Sequence, residues 1–364
     1  MSFAKLEAWL CLKSAPEINL KGILELLKAY PDPTLFVGKE EHELYQSKLL
    51  KPATAEYLAQ KQLPAAIYQA VDTCRTRQID FLCYTDADYP SGLKGISMPP
   101  LVLYYKGDLL SALRNPCLAV VGTRKPSTYG NEMCKKSIHP VCEHGCTIIS
   151  GLAMGIDTIA HNCALHAKTK TIAVLAHGLD SIYPPANQGL AEKITQNGAL
   201  VSEYEPGTKV ERWNFPARNR IISALSQAVF VVEAPPDSGA LLTAKFAVEQ
   251  NRPIFALPGN INHINAQGPN QLIKAGARII TSAEDVSELM GFSRDIPQQL
   301  ELVPQLNEDE QRIYDILSGD SREISFDEFM LLTGFSFGKL SVLLLNLELK
   351  SVIAKSSGNS YIKL

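Results

Sequence analysis

Residues 118–130 read LAVVGTRKPSTYG. Four apolar residues end at a glycine followed by small and basic side chains, as a buried strand reads where it hands the chain to a helix. The pattern recurs downstream. CLAVV (117–121), TIIS (147–150), TIAVLA (171–176), LVS (200–202), AVFVVEA (228–234), PIFALP (253–258) and ARIIT (277–281) are short apolar runs separated by helix-length segments. Strands that are apolar throughout have both faces covered, and connections long enough for a helix set successive strands parallel. The sequence therefore predicts an α/β chain with a doubly wound Rossmann-like parallel sheet of seven strands. Ligands of such sheets belong at the carboxyl ends of the strands.

The flanks differ in rhythm. Residues 1–78 alternate helical periods, GILELLKAY (22–30) and TAEYLAQKQLPAAIYQAV (54–71), with proline breaks such as YPDP (30–33), and read as a small helical domain without a strand. DYPSGLKGISMPPLVLYYKGDL (88–109) reads as a connection into the sheet domain, 79–290. Residues 291–304 read as a linker. In 305–364, three helix patterns (308–318, 325–332 and 336–350) precede SVIAK-SSGN-SYIKL, which predicts a winged helix-turn-helix.

Composition narrows the function. With 364 residues, 46% hydrophobic and 20% charged, the chain is ordinary globular protein, and its net charge of −3 gives no general attraction to nucleic acid or anionic lipid. Any anion site must be local. The eight cysteines include no Cys-x-x-Cys pair, which fits reduced thiols in the cytoplasm. No apolar run approaches the roughly 18 residues of a membrane span, and Glu7 interrupts the apolar opening.

Gly122, Thr123 and Arg124 mark the end of the first strand, where backbone N–H groups at a helix start can seat a phosphate. Gly122 stands alone until Gly130, and no G-x-x-x-x-G-K-[ST] occurs, so a bound NAD or ATP is not expected and no cofactor is assigned. Glycine and hydroxyl groups recur in SGLAMGIDTIAH (150–161), VEAPPDSGALLTAK (232–245) and ALPGNIN (256–262), with Ser238, Gly239 and Lys245 in the second of these. Tight turns and helix caps are the plainer account of each alone. RWNFPARNRIIS (212–223) collects Arg212, Arg218, Asn219 and Arg220 beside Trp213 and Phe215 just before another strand. A solvated salt-bridge face is the ordinary reading of such a cluster. Its convergence with the glycine turns favours a positive pocket with a ring face, although Phe215-Pro216 also suits a core plug at a helix start.

Catalytic readings are weaker. Ser150, Asp157 and His161 suggest a triad, but Asp157 and His161 are four apart on one helix and are expected to pair with each other or cap the turn. Cys142, His144 and Cys146, near Cys134 and His139, lack the second paired motif of a zinc site and read as buried helical thiols.

In order along the chain stand GTR-x-x-S-x-YG, SG-x-A-x-GIDT-x-AH, TIAVL-x-x-GLD-x-x-YP-x-x-N, FP-x-RNRIIS-x-LS, VVEA-x-x-x-SGALLTA and ALPGN. Together they resemble the DNA-processing protein DprA family, also called Smf, from residue 88 to about 285. The flanks resemble, less sharply, that family's SAM-like N-terminal domain and winged-helix C-terminal domain. The resemblance implies a single-stranded DNA-binding homodimer that is not an enzyme. It would protect strands and hand them to the RecA recombinase in natural transformation, or competence, and in DNA recombination. It also implies that Arg124, Phe215, Arg218 and Arg220 line the strand-binding pocket, with Arg212 just upstream. Ala176 departs from the usual glycine before GLD, and Ala240 replaces the second serine of an SGS turn, removing one phosphate donor. The alternative is a phosphoribohydrolase acting on nucleoside monophosphates on a related sheet. Its P-G-G-x-G-T-x-x-E signature is not matched by VEAPPDSGALLTAKFAVE (232–249), which carries Glu233 and Glu249 at other spacing.

Overall fold

The computed structural model describes residues 2–39, 43–46, 49–61, 63–292, 306–319, 323–350, 352–356 and 360–363. The chain packs as two compact units, Met1–Ser293 and Arg294–Leu364. The first begins with four helices, α1 (Phe3–Ser14), α2 (Leu20–Ala29), α3 (Pro52–Ala59) and α4 (Ala65–Thr76). Asn19 caps α2 by accepting from the Gly22 N–H at 2.9 Å, and Pro52 opens α3, where a missing N–H costs nothing. Leu6, Trp9 and Leu12 of α1 are wholly buried. They join one apolar cluster with Phe81, Tyr104, Leu175 and Leu200 of the following sheet. Residue 78, the expected domain boundary, is therefore no break in the packing.

The sheet has nine strands, joined by helices that cover both faces. In chain order these are β1 (Asp80–Cys83), α5 (Ser91–Lys94), β2 (Val102–Gly107), α6 (Leu109–Ala112), β3 (Cys117–Val121), α7 (Thr128–Glu143), β4 (Thr147–Ser150), α8 (Ile156–His166) and β5 (Thr171–Val174). There follow α9 (Gln188–Asn197), β6 (Ala199–Ser202), α10 (Asn214–Ala224), β7 (Ala228–Val231), α11 (Gly239–Glu249), β8 (Ile254–Ala256), α12 (Ile264–Lys274), β9 (Arg278–Ile279) and α13 (Asp285–Leu289). The order across the sheet is β1-β2-β6-β5-β4-β3-β7-β8-β9. The seven expected strands are β3 to β9, and they are mutually parallel. The 88–109 connection holds more than was read from it. It contributes β2, which pairs antiparallel with both β1 and β6, so the sheet is mixed.

The apolar runs are unbroken because both faces are covered. Leu118 and Val120 of β3 pack with Cys134 and Ile138 of α7, while Ala119 and Val121 pack on the other face with Ile221 of α10 and Ala244 of α11. The chain builds outward from β3 through β4, β5 and β6, then returns to lay β7 along the other side of β3. That reversal opens a crevice beyond the ends of β3 and β7, the switch point where doubly wound sheets hold ligands.

The second unit comprises α14 (Glu308–Gly319), β10 (Ile324–Ser325), α15 (Phe326–Thr333), α16 (Phe337–Leu349), β11 (Ile353–Lys355) and β12 (Ser360–Lys363), with sheet order β10-β12-β11. Ile313, Phe329, Leu340, Leu344, Leu347 and Tyr361 form its core. Gly334 ends α15 with φ at 70°, a left-handed turn that suits glycine. Three helices and a small antiparallel sheet make a winged helix, as expected. The expected linker, from 293 onward, lies outside the described residues.

Candidate nucleic-acid interface

A cleft of about 1130 Å³ opens at the switch point. Its walls come from the turn after β3 (Gly122, Thr123, Arg124, Lys125), from α10 (Phe215, Arg218, Asn219, Ile222) and from the start of α11 (Asp237, Ser238, Gly239, Ala240), with Arg212 and Tyr183 beside them. Of the eleven residues expected to form the site, nine line this cleft and two, Arg220 and Lys245, do not.

The β3 turn is held by packing that admits no side chain at its glycine. A Cβ on Gly122 would lie 2.6 Å from Ile156 Cγ1. The Thr123 N–H donates to the Glu233 carbonyl at 2.6 Å, and Thr123 Oγ1 accepts from the Lys125 N–H at 3.2 Å. Farther along, the Ser127 N–H donates to the buried Glu233 carboxylate at 2.8 Å and the Ser127 hydroxyl donates to its other oxygen. Ser127 also caps α7 by accepting from the Gly130 N–H at 3.1 Å. Glu233 thus fastens the end of β7 to the loop after β3. A Cβ at Gly130 would strike that carboxylate, 2.4 Å away.

The β4 turn is fastened in the same way. Asp157 Oδ2 accepts from the Gly151 and Ala153 N–H groups at 3.1 and 3.2 Å, the capping role foreseen for it. Asp157 lies near Ser150, but the three side chains do not line up as a triad. The Ser150 hydroxyl donates to the Val120 carbonyl at 2.6 Å, and His161 Nδ1 pairs with Thr171 Oγ1 at 2.7 Å. Since the Thr171 hydroxyl donates to the Ile148 carbonyl, His161 Nδ1 must carry the proton given to Thr171. Burial, assisted by the Arg218 charge, pushes the His161 pKa down to about 3, so the ring is neutral. Cys134, Cys142 and Cys146 are buried in the core, and the His144 ring stacks on Phe292 at 5.2 Å. Among the described residues no three His, Cys, Asp or Glu side chains gather as a metal site would require.

The arginines of α10 divide by face. Arg218, 5% exposed, donates through Nη1 to the Gly151 carbonyl at 2.9 Å and to the Val174 carbonyl, and through Nε to Asn219 Oδ1 at 3.1 Å. Asn219 passes the chain on to the Gly239 carbonyl at 3.1 Å. Arg218 therefore ties the ends of β4 and β5 to the cleft floor. Burial lowers its pKa to about 10, against the opposing pull of Asp157, and it stays charged at neutral pH. Burial in turn raises the Asp157 pKa, against the Arg218 charge. Arg220 points elsewhere. Its guanidinium grips Glu203 with two bonds, of 2.7 and 2.5 Å, and donates to the Met98 carbonyl at 2.9 Å, in a separate recess with Pro99 and Leu101. Lys245 is exposed on the second turn of α11.

What remains open in the cleft is mainly cationic and aromatic, with the exposed Asp237 as its one carboxylate among the described residues that is not buried. Arg124, Lys125 and Arg212 are exposed, and none pairs with a carboxylate among the described residues. The Arg124 guanidinium lies 5.8 Å from the Phe215 ring centroid. Tyr183, 41% exposed, faces Phe215 at 5.9 Å. Lys125 and Tyr183 were not among the expected residues. Lys125 is the next basic residue after GTR, and Tyr183 belongs to the YP-x-x-N run, so both carried a signal. Asn187 of that run donates to the Leu152 carbonyl at 2.9 Å and to Thr158 Oγ1 at 3.0 Å, clamping the segment after Tyr183 to the β4 turn.

A doubly wound sheet with three cations unpaired among the described residues, aromatic rings and glycine turns at its switch point places the chain in the Rossmann-like class, with a candidate anion site. Residues 80–291 match the family model of the DNA recombination-mediator protein A, and residues 298–359 match the DprA winged helix domain. The chain belongs to this DprA/Smf family of DNA-processing proteins. It is 38% identical to protein Smf of Synechocystis over 81% of its own length and 82% of that protein, and 42% identical to DprA of Bacillus subtilis over 59% and 72%. The crystal structure of DprA from Streptococcus pneumoniae superposes with a TM-score of 0.62 at 33% identity, covering 79% of this chain and 98% of that one. DNA processing protein A from Helicobacter pylori, described for its single-stranded DNA binding mode, superposes with a TM-score of 0.54 at 32% identity, covering 59% and 96%.

Proposed function

We propose that this chain binds single-stranded DNA in the switch-point cleft and delivers it to the RecA recombinase, as a homodimer in the cytoplasm, during natural transformation and recombination. The observation that carries the reading is the trio Arg124, Lys125 and Arg212, unpaired with any carboxylate among the described residues, around the Phe215 and Tyr183 rings in a chain of net charge −3. Cations of this kind follow a phosphate backbone, and ring faces accept any base, so the site favours single strands with little sequence dependence. Gly122, Thr123, Ser238 and Gly239 bring backbone close to the strand, while Arg218 and Asn219 brace the floor. The relative from Helicobacter pylori, described for single-stranded DNA binding, supports the ligand. RecA delivery and dimerisation rest on the family resemblance. Among the described residues no single helix is long and apolar enough to cross a membrane.

No chemistry on the strand is proposed. Glu233, the carboxylate a phosphoribohydrolase reading would recruit, is spent on Ser127, which speaks against that alternative. An anisotropy titration of labelled single strand, duplex and a mononucleotide panel tests the reading. Single strands should bind most tightly. With three cleft cations the log–log salt slope should be about −2, at roughly −0.7 per neutralised phosphate. Equal affinity for blunt duplex, a flat salt response, or release of free base from a mononucleotide would reject it.

A further inference from the structure

Two rings are candidates to hold a base in the cleft, and the structure treats them differently. Phe215 is half-buried, with the Arg124 guanidinium 5.8 Å from its centroid and the Tyr183 ring 5.9 Å away at an interplanar angle of 58°. Its surroundings are largely taken. Tyr183 is 41% exposed, lines the same cleft, and has Phe215 behind it. Its position is fixed as well, because Asn187, four residues on, is hydrogen-bonded to the turn after β4 through its side chain and to the Pro184 carbonyl through its N–H, at 3.0 Å. A ring with an open face and a fixed backbone loses little freedom when a flat ligand settles on it.

We propose that Tyr183 is the base-stacking platform of the site, and that Phe215 supports it from behind while Arg124 takes the neighbouring phosphate. The inference rests on the single-strand reading above. It differs from that reading in assigning base contact to a residue outside the FP-x-RNR motif, and it predicts that the contact is to the face of a base and not to the backbone.

The test uses the full chain and two probes of equal phosphate number, a dT20 oligonucleotide and a base-free oligomer of abasic residues. Binding can be read without a label, because Trp9 is wholly buried and Trp213, beside the cleft residue Arg212, is 71% exposed, so changes in iodide quenching report Trp213. Tyr183→Ala should weaken dT20 binding by roughly 5- to 150-fold, the range for one stacked base, and leave the base-free probe within twofold. Tyr183→Phe should bind like the parent. Tyr183→Leu, which keeps apolar bulk at a partly exposed position, should behave like Tyr183→Ala on both probes and guards against a folding defect. If the parent binds dT20 but Tyr183→Ala loses nothing, or loses equally on both probes, the stacking assignment falls and the single-strand reading stands. If the parent binds neither probe, both fall.

Discussion

Arg218→Ala separates an arginine that holds the fold from arginines that hold a ligand. The substitution removes the donors to the Gly151 and Val174 carbonyls and to Asn219, and leaves the buried Asp157 without its compensating charge. Breaking a buried charge network from one side costs about 3–5 kcal/mol, because the remaining groups stay desolvated. Gly151 packs directly on this guanidinium, since a Cβ there would lie 2.5 Å from it. At roughly 2–4 °C per kcal/mol for a unit of this order, the melting temperature should fall by about 6–20 °C. Arg218→Lys should fall between, because a point charge on a flexible stem cannot serve both carbonyls and Asn219 at once. Thermal unfolding followed by circular dichroism measures the loss, and strand binding is then measured well below the new transition. An Arg218→Ala protein that melts within 2 °C of the parent yet no longer binds single strands would refute the assignment, since the guanidinium would then serve the ligand.

The exposed arginine of the cleft should give the opposite pattern, and the arginine paired outside it a weaker form of the same one. Arg124→Ala should leave the melting temperature unchanged, weaken single-strand binding by about 1.5–3 kcal/mol and lower the magnitude of the salt slope by about 0.7, read by anisotropy at several salt concentrations. Arg220→Ala, which frees Glu203 from its two bonds, should reduce stability and leave strand affinity within about threefold, roughly 0.7 kcal/mol. The His161 pKa is about 3 in the folded chain, below the ordinary 6.5, so the unfolded chain takes up this proton first. Stability is then lost as pH falls below about 6.5, by up to ~1.4 kcal/mol per unit, and His161→Gln should flatten that slope in urea titrations between pH 7 and 5. Truncation after Pro304 should leave short-strand affinity within about threefold, or 0.7 kcal/mol, measured on the same oligonucleotides.

The parallel half of the sheet was legible because nothing in it had to compromise. β3 to β7 are buried along their whole length, so their apolar runs are unbroken, while β9, exposed at the sheet edge, was legible only from the apolar residues of ARIIT. β1 and β2 were hidden by their setting. Prolines and glycines crowd the segment between them, yet Val102–Gly107 is apolar and aromatic, and it pairs with β6 across a ladder from Tyr104–Ser202 to Gly107–Ala199. The helical start of the chain supplies the reason those strands are buried, since α1 packs against the face that carries Phe81 and Tyr104. In the winged helix Leu340, Leu343, Leu344 and Leu347 recur at helical spacing and are buried as packing. The opposite side was not apparent. Val342, Leu345 and Leu349 of α16 are exposed, and Lys339 is paired with Asp309 at 2.8 Å, so the face a duplex reader would make basic is largely apolar here.

The division of the arginines turns on where a helix begins. Read as a loop ahead of a helix, RWNFPARNRIIS offers all of its guanidiniums to one pocket. In the structure α10 already starts at Asn214, with Pro216 in its first turn, where the lost N–H has no partner to miss. Residues two apart on a helix point about 200° away from each other, so Arg218 and Arg220 cannot share a face. The cleft residues instead follow the helical period: Phe215, Arg218, Asn219 and Ile222 line it at i, i+3, i+4 and i+7, while Arg220 turns toward Glu203. Moving the helix start a few residues earlier therefore converts one apparent cluster into a floor brace, an ion pair outside the site, and a single ligand-facing cation, Arg212. It also explains why the remaining cleft charge has to come from Arg124 and Lys125, across the switch point on the turn after β3.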